Sequence, residues 1–145
     1  TEPQANAATF ADDYPLRVLV VEDNPINTKV LVRFLKKLGY APETAENGQE
    51  GFAAAESMVF DVVLMDLQMP VMNGLDSARN ILASEAIEHP VYISAFTANA
   101  RAEDREACRE VGMHDFVAKP ARMPEIRAVL QRAHEWHQQQ ASLLD

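Results

Sequence analysis

The sequence predicts an α/β fold: a doubly wound, five-stranded parallel sheet with helices on both faces. Three observations lead there. Short β-branched apolar runs alternate with helical segments along the chain. The strong runs are apolar at consecutive positions, as expected of strands buried on both faces. Four of them stop abruptly at polar residues: Glu22-Asp23, Asp66, Thr97 and Lys119.

The segment from Thr1 to about Tyr14 lacks a clear period and reads as a linker or tail, with residues 1–15 outside the domain proper. Arg17–Val21 (RVLVV) is the first strand. Asn24-Pro25 then supplies a helix cap and a proline at the first helical position. Ile26, Val30, Leu31, Phe34, Leu35 and Leu38 recur at helical spacing until Gly39 ends the helix. Ala41–Ala45 is a weak strand, and Asn47-Gly48 turns into a helix over about Gly48–Met58. Asp61–Met65 (DVVLM) is a strand ending at Asp66, followed by the loop LQMPVMNG and a helix over Leu75–Ser84. Val91–Phe96 (VYISAF) is a strand ending at Thr97, and Arg101–Val111 a charged surface helix stopped by Gly112. Asp115–Ala118 (DFVA) is the last strand. A final amphipathic helix from about Met123 to Gln139 turns Ile126, Val129, Leu130 and Ala133 to one side. The domain is expected to span 16–139, with 140–145 a polar, frayed tail.

Composition narrows the function classes. The chain has 145 residues, 48% of them apolar, which suffices for one core. Lys plus Arg number 13 against 22 Asp plus Glu, a net charge of −9, so the domain should repel nucleic acid. The single cysteine, Cys108, has no disulfide partner and no zinc-type spacing, and reads as a small helix residue in a reducing compartment. No apolar stretch reaches the roughly 18 residues that a membrane span needs, and the polar N-terminus is not a signal peptide. A chain that starts at Thr1 is expected to be a processed product or a piece of a longer protein, whose own anchoring is left open.

In an open parallel sheet the carboxyl ends of the strands share one edge, and ligands bind where the strand order reverses. Glu22, Asp23, Asp66, Thr97 and Lys119 would therefore meet in one cleft. Clustered carboxylates repel, and Mg²⁺, which prefers oxygen ligands, resolves that repulsion. A carboxylate there can act as a nucleophile toward phosphorus, with the lysine and the threonine hydroxyl stabilising the developing charge. Taken singly, an Asp at a strand end is a turn or cap residue, Lys-Pro a surface turn, and Glu-Asp a favourable charge at a helix start. Their joint placement argues for chemistry.

At these residues the chain resembles the receiver domains of two-component response regulators, over about 17–138. VLVVEDNPIN, VVLMDLQMPVMNG, ISAFTANA and DFVAKP carry the resemblance, in that order. It implies a flavodoxin-like sheet of order 2-1-3-4-5. It implies Asp66 as phosphoacceptor, and Glu22, Asp23, Asp66 and the Gln68 backbone carbonyl as ligands of Mg²⁺ or Mn²⁺. Thr97 is similar to the family's switch hydroxyl, Lys119 to its phosphate-contacting lysine, and Lys119-Pro120 to a bond that is cis in the family. Phe116 stands where the family has an aromatic that moves on activation; from its residues alone it is a strand core side chain. Gln68 and Asn99 occupy positions that influence autodephosphorylation, where amides imply slow hydrolysis, and the small Ala98 leaves the site open to a partner.

EDNPIN, LQMPVMNG and FTANA are most like receivers joined to histidine kinases in hybrid sensors. That resemblance implies a phosphohistidine donor on a kinase domain, transfer onward to a histidine phosphotransfer protein, and a cytoplasmic location, with a membrane-anchored parent compatible. The fourth helix, fifth strand and fifth helix, counted from Pro25, would form the responsive face, including Arg105, Glu106, Arg109 and Arg127, and could pair two copies. Direct nucleic-acid or membrane contact is not expected, nor enzymatic activity of the isolated domain beyond its own phosphotransfer and dephosphorylation. Competing readings are a docking module that no longer turns over phosphate and a stand-alone response regulator. A haloacid-dehalogenase-like phosphatase would show DxDxT, whereas Asp66 is followed by Leu67 and Gln68; a flavodoxin would show a Ser/Thr/Gly-rich loop where EDNPIN stands. The six methionines read as gap fillers, and His89, His114, His134 and His137 have no metal spacing. His134 and His137 read as solvent-exposed, and Trp136 as packed on the sheet side or on an absent neighbour.

Overall fold

Strands β1 (Val18–Val21), β2 (Glu43–Ala45), β3 (Val62–Asp66), β4 (Tyr92–Thr97) and β5 (Asp115–Ala118) form one parallel sheet of order β2-β1-β3-β4-β5. The computed structural model describes residues 9–69, 71–98 and 101–144. Helices α1 (Phe10–Asp13), α2 (Pro25–Lys37), α3 (Gly48–Ser57), α4 (Gly74–Ala83), α5 (Ala102–Val111) and α6 (Met123–Leu144) complete the described elements. The order reverses between β1 and β3, which places the ligand-binding crevice at their carboxyl ends.

Period-two alternation sorts the strand residues into two cores. Val18, Val20, Val62, Leu64, Tyr92 and Phe96 face α2 and α6, meeting Leu35, Ile126, Val129, Leu130 and Ala133. Leu19, Val21, Val63, Met65, Ile93 and Ala95 face α3, α4 and α5, meeting Ala55, Ala78, Ile81 and Cys108. The predicted apolar side of the last helix is thus its buried side.

Three expectations need correction. The N-terminal linker is not featureless at its end: α1 opens with a capping box, in which the Thr9 hydroxyl accepts from the Asp12 N–H and the Asp12 carboxylate accepts from the Thr9 N–H. Phe10 and Ala11 pack on the α2/α6 core, the Ala11 N–H donates to the Leu38 carbonyl, and the Tyr40 hydroxyl donates to the Tyr14 carbonyl at 2.6 Å. The tail is not frayed after Gln139 either, because α6 continues to Leu144. No Gly or Pro lies between Glu125 and that point to stop it. Finally, Ile26 and Val30 share the helical period of α2 but are 71% and 45% exposed, beside the carboxyl-end cleft. Among the described residues no helix is long and apolar enough to cross a membrane.

Candidate functional site

Each predicted side chain arrives at the cleft for a local reason. Glu22 and Asp23 follow β1, whose ladder ends as the Glu22 N–H donates to the Ala45 carbonyl. Asn24 caps α2 by accepting from the Ile26 and Asn27 N–H groups, so the chain turns sharply away and leaves the acidic pair at the sheet edge. Asp66 is the last residue of β3, in register with Phe96. Beyond it, Gly74 begins α4 against the strand end. Its N–H donates to the Leu67 carbonyl, and any Cβ there would collide with the Asp66 carbonyl. Thr97 ends β4, and the Lys119 N–H donates to its carbonyl at 2.8 Å. The Lys119-Pro120 peptide is cis, as the resemblance implied.

The structure brings Glu22, Asp23, Asp66, Thr97 and Lys119 to one cleft. Lys119 Nζ lies 2.8 Å from Glu22 Oε1 and 3.3 Å from Asp66 Oδ1, tying together residues nearly a hundred positions apart. Glu22, Asp66 and Thr97 are buried, whereas Asp23 is exposed at the mouth. Carboxylate oxygens of Glu22, Asp23 and Asp66 lie within 4.8 Å of one another. The Gln68 side chain is exposed, and its N–H donates to Asp66 Oδ1 at 3.3 Å. Asn99 lies outside the described residues; Ala98 is exposed beside the cleft.

The electrostatics follow from this crowding. Burial pushes Asp66 up, the Lys119 ammonium opposes it, and the Glu22 charge reinforces it; the carboxyl ends at about 6. Burial also acts on Glu22, but the Lys119 hydrogen bond and the Asn24 N–H outweigh it and hold its carboxyl below the usual range. Burial opposes the charge on Lys119, yet Glu22 and Asp66 leave it more firmly protonated than an ordinary lysine. Two buried carboxylates share one ammonium, so a further cation is electrostatically welcome. Three hard-oxygen side chains are donors of the kind that Mg²⁺ accepts.

At several places the structure adds detail to the sequence reading or corrects it. Phe116 packs at the edge of the α3–α5 core, half-buried, with the Arg105 guanidinium 4.6 Å from its ring centroid. An apolar groove of about 470 Å³ runs from the cleft along α2 to the start of α6, lined by residues that include Val30, Leu31, Phe34, Ala121 and Ile126. The surplus apolar residues of α2 were its only sequence signal. Trp136 packs within the molecule, against Tyr92, His114 and His137. His134 and His137 are half-buried rather than exposed. His137 Nε2 lies 2.7 Å from the Asp61 carbonyl, and the His134 ring stands edge-on to Tyr14.

Comparison with known proteins agrees with this geometry. Residues 18–131 match the family model described as the response regulator receiver domain. Hybrid signal transduction histidine kinase K of Dictyostelium discoideum is 35% identical over 129 residues, covering 85% of this chain and 11% of the kinase. The sensor histidine kinase GacS of Pseudomonas protegens is 35% identical over 132 residues, covering 90% of this chain and 14% of the kinase. The chain thus spans only a small part of the curated relatives it matches. Among solved structures, the receiver domain of sensor histidine kinase PA1611 from Pseudomonas aeruginosa, with a magnesium ion coordinated in its active-site cleft, superposes with a TM-score of 0.76 at 39% identity, covering 83% of this chain and 98% of that one. With its doubly wound sheet, its acidic cleft and a family match across most of its length, the chain belongs to the response regulator receiver domain family.

Proposed function

We propose that Asp66 accepts a phosphoryl group from a phosphohistidine and that the domain serves as a switch or relay station in a two-component pathway. The observation that carries this is the buried Asp66 carboxylate, held 3.3 Å from the Lys119 ammonium and beside a second, acidic pair. Glu22, Asp23, Asp66 and the Gln68 carbonyl are the residues that would hold Mg²⁺, or Mn²⁺ in its place. When bound, the ion offsets the carboxylate charges and polarises the phosphoryl oxygens.

The chain's own residues supply the rest. An Asp66 oxygen attacks phosphorus; the P–N bond of the donor breaks, and its electron pair stays on the imidazole nitrogen. Lys119 turns part of its charge from Asp66 to a phosphoryl oxygen, and the Thr97 hydroxyl donates to another. Thr97 moves toward the phosphoryl group and Phe116 follows, changing the α5, β5 and α6 face that carries Arg105, Glu106, Arg109 and Arg127. That face is the proposed contact between two copies. The apolar groove beside Asp66, with Ile26 and Val30 exposed next to it, supports docking of a histidine-bearing helix from a kinase or a phosphotransfer protein. An amide at Gln68 and at Asn99 provides no base for water, so the acyl phosphate should be long-lived. Gln68→Glu or Asn99→Ala should change its half-life.

The parent is proposed to be a hybrid histidine kinase, with this domain on the cytoplasmic side and without catalytic turnover of its own. The net charge of −9 supports the absence of a direct nucleic-acid role. Intact mass after incubation with Mg²⁺ and acetyl phosphate tests the central step. The expected gain is one phosphoryl group, absent with Asp66→Ala and absent without Mg²⁺. A folded chain that gains nothing even from a phosphorylated histidine kinase domain would be a docking module instead.

A further inference from the structure

At the amino-terminal edge of the sheet, opposite Asp66, three side chains with no part in the phosphoryl chemistry converge. Asp61 immediately precedes β3, His89 lies in the loop before β4, and His137 sits in the second half of α6. An Asp61 carboxylate oxygen and one ring nitrogen of each histidine lie within 4.8 Å of one another. His89 Nε2 is 2.6 Å from Asp61 Oδ1, and His137 Nε2 is 2.7 Å from the Asp61 carbonyl oxygen. The two rings stack, 5.4 Å between centroids and 11° from parallel. Arg17 grips the carboxylate from the other side, its backbone N–H and Nε donating to Oδ2 at 2.7 and 3.0 Å. It thereby orients Oδ1 toward His89. Its Nη2 also reaches Oδ1, at 3.1 Å, so the guanidinium is both a support and a competitor for that oxygen.

From this convergence we propose that His89, His137 and Asp61 form a binding site for a transition-metal dication, Zn²⁺ above all. Two imidazoles and a carboxylate suit Zn²⁺ rather than Mg²⁺, and three protein ligands leave a fourth position for water. Bonds of about 2.0–2.2 Å set tetrahedral ligand atoms about 3.3 Å apart. The hydrogen-bonded pair must part by less than about 1 Å and the widest pair close by no more than about 1.5 Å, within the reach of half-buried side chains that change rotamer. The ion takes the place of the proton shared by His89 and Asp61, which passes to water or to His89 Nδ1. Because its ligands come from three separated elements, it fastens the second half of α6 to the base of the sheet.

The test is Zn²⁺ titration of the tag-free chain against a chromophoric chelator, in buffer with millimolar Mg²⁺ to occupy the acidic cleft. The expected result is one Zn²⁺ per chain with a Kd near or below about 1 µM. His89→Gln and His137→Gln should each weaken it by more than about tenfold, the lower bound for loss of even an outer-shell partner. Glutamine retains a hydrogen-bond donor, so melting without Zn²⁺ reports whether the fold survives, and Zn²⁺ should raise Tm in the parent chain but in neither glutamine variant. Asp23→Asn should leave Zn²⁺ binding intact. Absence of binding, binding indifferent to both glutamine variants, or binding lost in Asp23→Asn would overturn the proposal.

Discussion

Asp61 and Asp66 stand at opposite ends of the same strand, and their carboxyl groups are driven in opposite directions. Both are shielded from solvent, and burial alone pushes both up. At Asp61 the Arg17 guanidinium, the Arg17 N–H and His89 overwhelm that effect and bring the group down to about 2. At Asp66 a single ammonium is shared with Glu22, which adds repulsion, and the group sits at about 6. At Asp61 the guanidinium and N–H of Arg17, with His89, already compensate the carboxylate charge. At Asp66 the compensation is incomplete, which is the electrostatic basis for the proposed role of that carboxylate.

The same substitution at the two ends should separate them most sharply. Asp66→Asn should abolish phosphorylation while making the metal-free fold more stable, by about 2 kcal/mol, because a buried charge and its repulsion from Glu22 disappear. Asp61→Asn should do the reverse, lowering stability by about 2 kcal/mol while phosphorylation by acetyl phosphate persists. Urea unfolding in EDTA, with intact mass measured in parallel in Mg²⁺, reads both. Two losses of stability would show that Asp66 is as well satisfied as Asp61.

The pH dependence of the two ends also has opposite sign. The folded value of Asp61 lies below its ordinary 3.8, so its contribution is complete above about pH 4 and fades as pH falls toward 2. Asp66 lies above its ordinary 3.8; the folded state holds the extra proton, and stability declines as pH rises from about 4 through 6 in the absence of metal. The gap between the parent chain and Asp61→Asn should therefore shrink below pH 4. The gap between the parent chain and Asp66→Asn should be small at pH 4 and open by pH 7. Urea midpoints at pH 3, 4, 5 and 7 would check both slopes.

The site end tolerates little added volume. At Gly74 a methyl group meets the Asp66 carbonyl, a backbone atom that cannot rotate away. Gly74→Ala should cost about 1–3 kcal/mol and slow phosphorylation as well, since relief requires moving the strand end that carries Asp66. Equal destabilisation with an unchanged rate of phosphoryl gain would mean that α4 shifts while Asp66 stays in place.

The contrast between the ends also explains what could be read in advance. Asp66, Glu22, Asp23, Thr97 and Lys119 each interrupt an apolar strand, and the rules of parallel sheets gather such residues at one edge, so both the fold and the cleft were legible. The other end offered no such rule. Asp61 opens a strand, His89 lies in a loop and His137 is one polar residue among many on α6, and only the register of α6 on the sheet brings them together. Helix α1 escaped notice because four residues carry no period, although Thr9 and Asp12 already had the spacing of a capping box. Ile26 and Val30 misled in the other direction: periodicity says that one face is apolar and not whether the protein or a partner covers it.

The smallest expected effect lies at the scaffold end, at Tyr40. Its hydroxyl donates to the Tyr14 carbonyl at 2.6 Å and ties α1 to the turn after α2, with Phe10 and Tyr14 in ring contact at 4.7 Å. Burial holds the phenol well above its ordinary range, so it remains a donor at every working pH. Tyr40→Phe keeps the ring in the core and deletes only that bond, at a cost of about 1 kcal/mol. Amide exchange should accelerate in α1 before any other element, while phosphoryl gain at Asp66 stays as it was. If phosphorylation changed as well, α1 would be coupled to the cleft, and the two ends of the sheet would be less independent than their charges imply.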